Sequence, residues 1–218
     1  MSIASGNHDG RIVRVRANRR VAPATAGPRR VDGLDVLLRA PRLTDGPSWR
    51  RARLLDEARL RPSLSQGLDT WDRESSLTAW VERVRDLRAG ARDGTVVPHV
   101  LARASGDVLG EITFAIDARS GLAELSLWTA RSVPHAVTTW STATAVLGVL
   151  ERPHVVPWVV APVAVGNPGP SGLLARAGFE PSGTARLLRP YDGAPADHVV
   201  WRLANTAATR DHLHAQIA

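Results

Sequence analysis

Few residues of this 218-residue chain have a type and spacing that could do chemistry. Cysteine is absent. That removes thiolate nucleophiles, thiolate metal sites and disulfides together. His8, His99, His135, His154 and His198 are dispersed, while His212 and His214 stand two apart, on different faces of any helix; no metal site is expected from them. Two carboxylates fall on strand-like runs, Glu124 and Glu111. A strand carboxylate can serve as a general base, directly or through one water, and each of these also reads as a solvent-facing strand residue. Ser171 opens a short helical run, where its hydroxyl is either a proton donor or an N-cap. Tyr191 is the single tyrosine and falls in a turn, so a structural role is expected for it. His135 precedes a helix and would favour an anion when protonated; the competing reading is a solvated histidine.

The elements that must position these groups begin after a basic tail. Every one of the 28 basic side chains is arginine, a bias that abundant Ala, Gly and Pro tie to base composition. Residues 1–33 carry Arg11, Arg14, Arg16, Arg19, Arg20, Arg29 and Arg30 against Asp9 and Asp32, a net +5 of the formal +7. The remainder is nearly neutral, so a basic groove across the globular body is not indicated. A polyanionic partner such as RNA or the ribosome would therefore meet the tail. The tail is read as flexible, with Ile12-Val13-Arg14-Val15 as a short edge strand. It has no apolar block, so no secretory signal is expected, no run is long enough to span a bilayer, and a cytoplasmic location follows as the expectation.

From Leu34 to Ala204 the pattern is that of one domain, with residues 205–218 as a polar, Ala-rich C-terminal tail. Val36–Arg39 reads as a strand and Thr44 or Asp45 caps a helix that Pro62 ends. A loop covers 62–72. Ser75 or Ser76 caps the clearest helix, with Leu77, Trp80, Val81, Val84 and Leu87 at helical spacing. Three strands follow, Val96–Arg103, Val108–Asp117 and Leu122–Thr129, joined by short polar turns that favour antiparallel pairing. A helix runs through Trp140, Ala143, Leu147 and Leu150. Val155–Val165 is a buried strand in which Pro157 and Pro162 mark bends or an edge. A short helix, Ser171–Ala177, and a hairpin around Tyr191-Asp192-Gly193 close the domain. The fold class is α/β, a mixed, mostly antiparallel central sheet flanked by helices. The seven tryptophans are scattered, and core packing explains most of them.

This order of elements resembles the GNAT N-acetyltransferases. The residues that carry the resemblance are Leu38-Arg39-Ala40-Pro41-Arg42-Leu43-Thr44-Asp45-Gly46 followed by Trp49, then Arg59-Leu60-Arg61-Pro62 and Trp80. They continue with Trp128, Asn167 with Ser171, Leu174-Ala175-Arg176-Ala177-Gly178-Phe179, Arg186, and Gly193 with Asp197-His198. They are similar to the actinobacterial type of the ribosomal-protein N-terminal acetyltransferase (RimJ/RimL-like) branch.

The resemblance implies acetyl-CoA as co-substrate and an amine acceptor, with a protein N-terminus as one form of it. Transfer would be direct, since no cysteine can carry the acetyl group. It implies that a bulge splays the strand ending in Trp128 from the next one, leaving the backbone of Leu127, Trp128 and Thr129 for the pantetheine. Glu124 would face the amine, Ser171 would protonate the leaving thiolate although Pro170 holds the matching position, and Asn167 would contact the cofactor. The family's pyrophosphate turn, Arg/Gln-x-x-Gly-x-Gly/Ala at a helix N-terminus, is altered. A gapless register fills it with Pro134, His135, Ala136, Val137, Thr138 and Thr139, putting Val137 at the central glycine; the register Arg131 to Ala136 puts Pro134 there. Either residue would crowd the phosphate. That alteration keeps a second reading open, a catalytically inactive GNAT-fold protein that binds a protein or RNA.

Overall fold

Period-two alternation of apolar residues builds the centre of the protein: Val97 and Leu101 enter one core, Val100 and Ala102 another on the opposite face. The computed structural model describes residues 25–218 except 66, 68, 118 and 153–155. Its strands are β1 (Ala26–Val31), β2 (Leu34–Arg39), β3 (Val96–Arg103), β4 (Val108–Ile116), β5 (Ala123–Thr129), β6 (Trp158–Ala164), β7 (Glu180–Tyr191) and β8 (Ala194–Ala204). They form one sheet in the order β1-β2-β3-β4-β5-β6-β8-β7. Among the described residues only the β5–β6 pair is parallel.

Helices cover both faces. α1 (Gly46–Leu55), α2 (Glu57–Leu64), α3 (Trp71–Glu74) and α4 (Leu77–Asp93) precede β3; α5 (His135–Leu150) joins β5 to β6, α6 (Gly169–Arg176) joins β6 to β7, and α7 (Ala207–Ile217) ends the chain. α4 has the capping expected of it: Ser76 Oγ accepts from Ala79 N–H at 3.1 Å, and Gly94 closes the helix at φ 75°. α5 is apolar nearly all round, which suits a helix buried between the sheet and α7. The other face holds a core of Trp49, Trp71, Trp80, Trp128 and Val84 under α1 and α4. Arg53 is wedged between Trp49 and Trp71, 4.7 and 4.2 Å from the ring centroids, and burial lowers its pKa to about 10.

Three expectations change. The sheet begins before residue 34: β1 pairs with β2 through a two-residue turn, Asp32 at φ 47° and Gly33 at φ 79°, the backbone an Asp-Gly hairpin needs. Nearly all of β1 is exposed, so it shows no apolar alternation in sequence. Pro62 does not end its helix, because α2 runs on to Leu64, and α3 occupies part of the expected 62–72 loop. The C-terminal segment is part of the body: Leu213 of α7 is fully buried, and Arg29 of β1 donates to the Ile217 and Ala218 carbonyls at the helix end. The expected Ile12–Val15 strand, and the start of β6 at Val155, lie outside the described residues.

Candidate active site in the gap between β5 and β6

β5 and β6 pair only at Ala123↔Val159 and Glu124↔Val160 among the described residues, and then diverge. Leu122 C=O accepts from Asp117 N–H, and Ala130 N–H donates to Leu109 C=O. Even-numbered residues between them therefore turn their backbone groups to β4, and Leu127 and Thr129 turn theirs to the gap. Trp128, expected to contribute its backbone, does not; its peptide faces β4 opposite Glu111. No bulge is needed for the divergence, since β4 and β5 stay in one-to-one register from Gly110↔Thr129 to Ile116↔Ala123. Gly110 permits that close approach, as a Cβ there would lie 2.3 Å from Trp128 O. The gap is a cavity of about 150 Å³ lined by Leu125–Leu127, Ala161–Ala164, Asn167, Pro170, Tyr191 and His198, among others. Pro162 lies in the diverging part, past the last residue paired to β5.

β5 ends at Thr129, whose Oγ1 lies 3.4 Å from Oγ1 of Thr138 near the start of α5. Pro134 is the N-cap and gives no side-chain cap, and no acidic residue sits in the first turn. The N–H groups of His135, Ala136 and Val137 thus have no intrahelical acceptor, and they point out at the positive end of a 16-residue helix, a surface suited to phosphate. Val137 is fully buried in the main core. Its side chain points away from that surface, so the expected crowding by Val137 does not occur. That burial favours the register from Arg131 to Ala136, in which Pro134 takes the place of the central glycine and brings no N–H. Thr138 does not offer a free hydroxyl: Oγ1 lies 3.4 Å from both Pro134 O and Thr129 Oγ1. Thr139 is half-buried one position further along the helix. The turn is held from below by Asp56, which accepts from Arg131 N–H at 2.5 Å, and by Arg59, which bridges Asp56 and Thr129 O.

The expected acid–base pair is not brought together at the gap. Glu124 sits at the closed end of the β5–β6 pair, with both oxygens 2.7 Å from Arg189. Ser171 lies in the first turn of α6, whose N-cap is Pro168, so it is not the N-cap either. Pro170, not Ser171, lines the gap. Glu111 is fully buried beneath three donors: Trp49 Nε1 at 2.8 Å and Trp128 Nε1 at 2.9 Å on one oxygen, Arg83 Nε at 2.7 Å on the other. Burial pushes its carboxyl up, but Arg83 and these hydrogen bonds outweigh that and hold it below the ordinary value. Glu111 fixes Trp128, and with it β5, against α1 and α4.

Two residues that sequence reasoning set aside do reach the gap. The Tyr191 ring packs on Gly166 and its hydroxyl donates to Gly166 O at 3.2 Å. His198 is buried on β8 and its Nδ1 lies 2.9 Å from Ala196 O. The only sequence signal for His198 was its place in the closing Asp197-His198 pair. Tyr191 had none, because a turn residue shows its neighbours only after the hairpin folds back.

A mostly antiparallel sheet with a single parallel junction that opens into a cleft, next to an uncapped helix N-terminus, defines the GNAT acetyltransferase fold. Within that fold the structural neighbours include RimJ- and RimL-type ribosomal-protein acetyltransferases. Mycobacterium smegmatis RimJ in complex with CoA-disulfide superposes with a TM-score of 0.78 at 28% identity, over 88% of this chain and 94% of that one. A Salmonella typhimurium acetyltransferase that modifies the N-terminal serine of ribosomal protein L7/L12 matches at TM-score 0.68 and 16% identity, over 83% and 99% of the two chains. The ribosomal-protein-S5-alanine acetyltransferase of Vibrio fischeri matches at 0.67 and 13%, over 79% and 94%. No protein-family model and no curated protein sequence matches the chain. No described helix is long and apolar enough to cross a membrane.

Proposed function

We propose that this protein transfers an acetyl group from acetyl-CoA to an amine, the N-terminal α-amine of a protein. The observation that carries the proposal is the continuity of two binding elements. The Leu127 backbone is turned into the β5–β6 gap as a free strand edge, and that edge leads to the uncapped α5 N-terminus. The pantetheine arm of CoA is a chain with amide groups that can pair with such an edge, and its pyrophosphate is the anion such a helix start favours. Mycobacterium smegmatis RimJ, the neighbour at 28% identity, holds a CoA disulfide. With no cysteine to carry the acetyl group, attack is by the amine itself on the thioester carbonyl. The α-amine as acceptor is supported by the Salmonella neighbour, which modifies an N-terminal serine. The rival reading, a non-catalytic binding protein, drew its support from Val137 or Pro134 crowding the phosphate turn. Val137 lies in the core instead, and Pro134 stands at the turn as the N-cap of α5. The Mycobacterium smegmatis neighbour that holds CoA favours the enzyme.

The test is direct. CoA release from acetyl-CoA is followed with a thiol reagent, for which the cysteine-free chain gives no background, using peptides with free and with blocked α-amines. Release only with free α-amines, together with saturable acetyl-CoA binding by calorimetry, is the expected result. Absence of both refutes the proposal.

A further inference from the structure

We infer that His198 is the general base of this site, taking the proton from the attacking amine nitrogen. The inference rests on the acetyl-transfer reading and adds the group that performs its proton step. His198 lies opposite Ala164 of β6 and Ala185 of β7. By strand alternation it shares the sheet face with Pro162 and Ala164, at the end of β6 that has left β5. The residue is 6% exposed and lines the gap. With Nδ1 hydrogen-bonded to Ala196 O, the neutral imidazole carries its hydrogen on Nδ1 and keeps the Nε2 lone pair. Nε2 has no hydrogen-bond partner among the described residues. The ring is held in one orientation by one nitrogen and offers the other to the cleft.

The other titratable groups nearby are committed elsewhere. Arg189 and Glu124 hold each other, and Asp197, the next residue, accepts from Leu187 N–H at 2.9 Å. Tyr191 donates to Gly166 O, and a neutral phenol is a weak base. Glu111 is sealed under three donors. His198 is therefore the group that offers an open imidazole lone pair to the cleft. In the step, the amine lone pair forms the N–C bond and the nitrogen proton moves to His198 Nε2. The C–S bond then breaks, with its electron pair leaving on sulfur. His198 returns its proton to water and the CoA thiolate takes one from water, so the protons balance.

His198→Gln keeps a polar side chain of similar reach without a base that titrates. It should lower kcat by about 100-fold or more while acetyl-CoA binding by calorimetry stays as in wild type. The pH profile of kcat/KM should differ between the variant and wild type. Diethylpyrocarbonate mapping by mass spectrometry needs no variant: His198 should be modified in the free protein and protected by acetyl-CoA. Active wild type with an unchanged rate and pH profile in His198→Gln, or no protection of His198 when acetyl-CoA is bound, overturns the inference alone. Wild type that transfers to no amine overturns the functional proposal and this inference with it.

Discussion

Lowering the pH should unfold this protein partly through one residue, His99. It is 4% exposed on β3, edge-on to Phe114 with ring centroids 6.4 Å apart, and its Nδ1 has no partner among the described residues. Burial lowers its pKa from 6.5 to about 4, Arg152 adds to the effect, and a hydrogen bond to the Ile112 backbone opposes it. The unfolded chain takes up a proton at this histidine below pH 6.5, whereas the folded protein does not until about pH 4. Between those values the unfolded state binds more protons, so stability is complete above pH 6.5 and is lost as pH falls toward 4. At about 1.36 kcal/mol per pH unit, the loss is about 3 kcal/mol, a large part of the roughly 5–15 kcal/mol that holds a typical domain folded. Urea unfolding at several pH values between 7.5 and 4, on wild type and on His99→Leu, measures it. Carboxylates with lowered pKa, such as Glu111, also weaken the fold in acid, and the difference between the two proteins removes their part. Equal pH slopes in wild type and His99→Leu, or a His99 ring that titrates near 6.5 in the folded protein, would refute the reasoning.

Other substitutions test the site and its supports. Val137→Gly, which sequence reasoning expects to open the phosphate turn, should leave acetyl-CoA binding no tighter and cost about 2–4 kcal/mol, since it empties a fully buried core position and weakens a helix; tighter binding by calorimetry would restore the crowding argument. Glu111→Gln should cost about 2–3 kcal/mol in chemical unfolding, because the amide meets Arg83 Nε donor to donor and a charge-assisted bond is lost. Asp56→Ala, which frees Arg131 N–H at the turn, should raise KM for acetyl-CoA more than it lowers kcat; the reverse pattern would detach this carboxylate from the turn. Deleting residues 1–33 removes β1 and Arg29, so Tm should fall, whereas a dispensable tail predicts no change.

What the sequence determined by itself was the local order. Period-two runs with polar turns marked β3, β4 and β5, and the helical spacing from Leu77 to Leu87 with Ser76 and Gly94 marked α4, because backbone periodicity and caps act within a few residues. The ordered motifs from Leu38 to Asp197-His198 carried the fold family. The exposed β1 escaped, since a strand held by edge pairing need not alternate. Glu111 and Glu124 look alike in a sequence, a carboxylate on a strand each. Burial under two indoles and Arg83 makes one a structural hub, and Arg189, 65 residues further on, occupies the other. Val137 illustrates the same limit: whether a Cβ meets a phosphate or the core depends on where the helix starts, and Pro134 as N-cap decides that. His198 and Tyr191 reach the cleft only because β7 and β8 fold back beside β6. The His198 tautomer is set locally, by Ala196 O two residues away, but that its open lone pair meets a cleft is settled by the packing of distant elements.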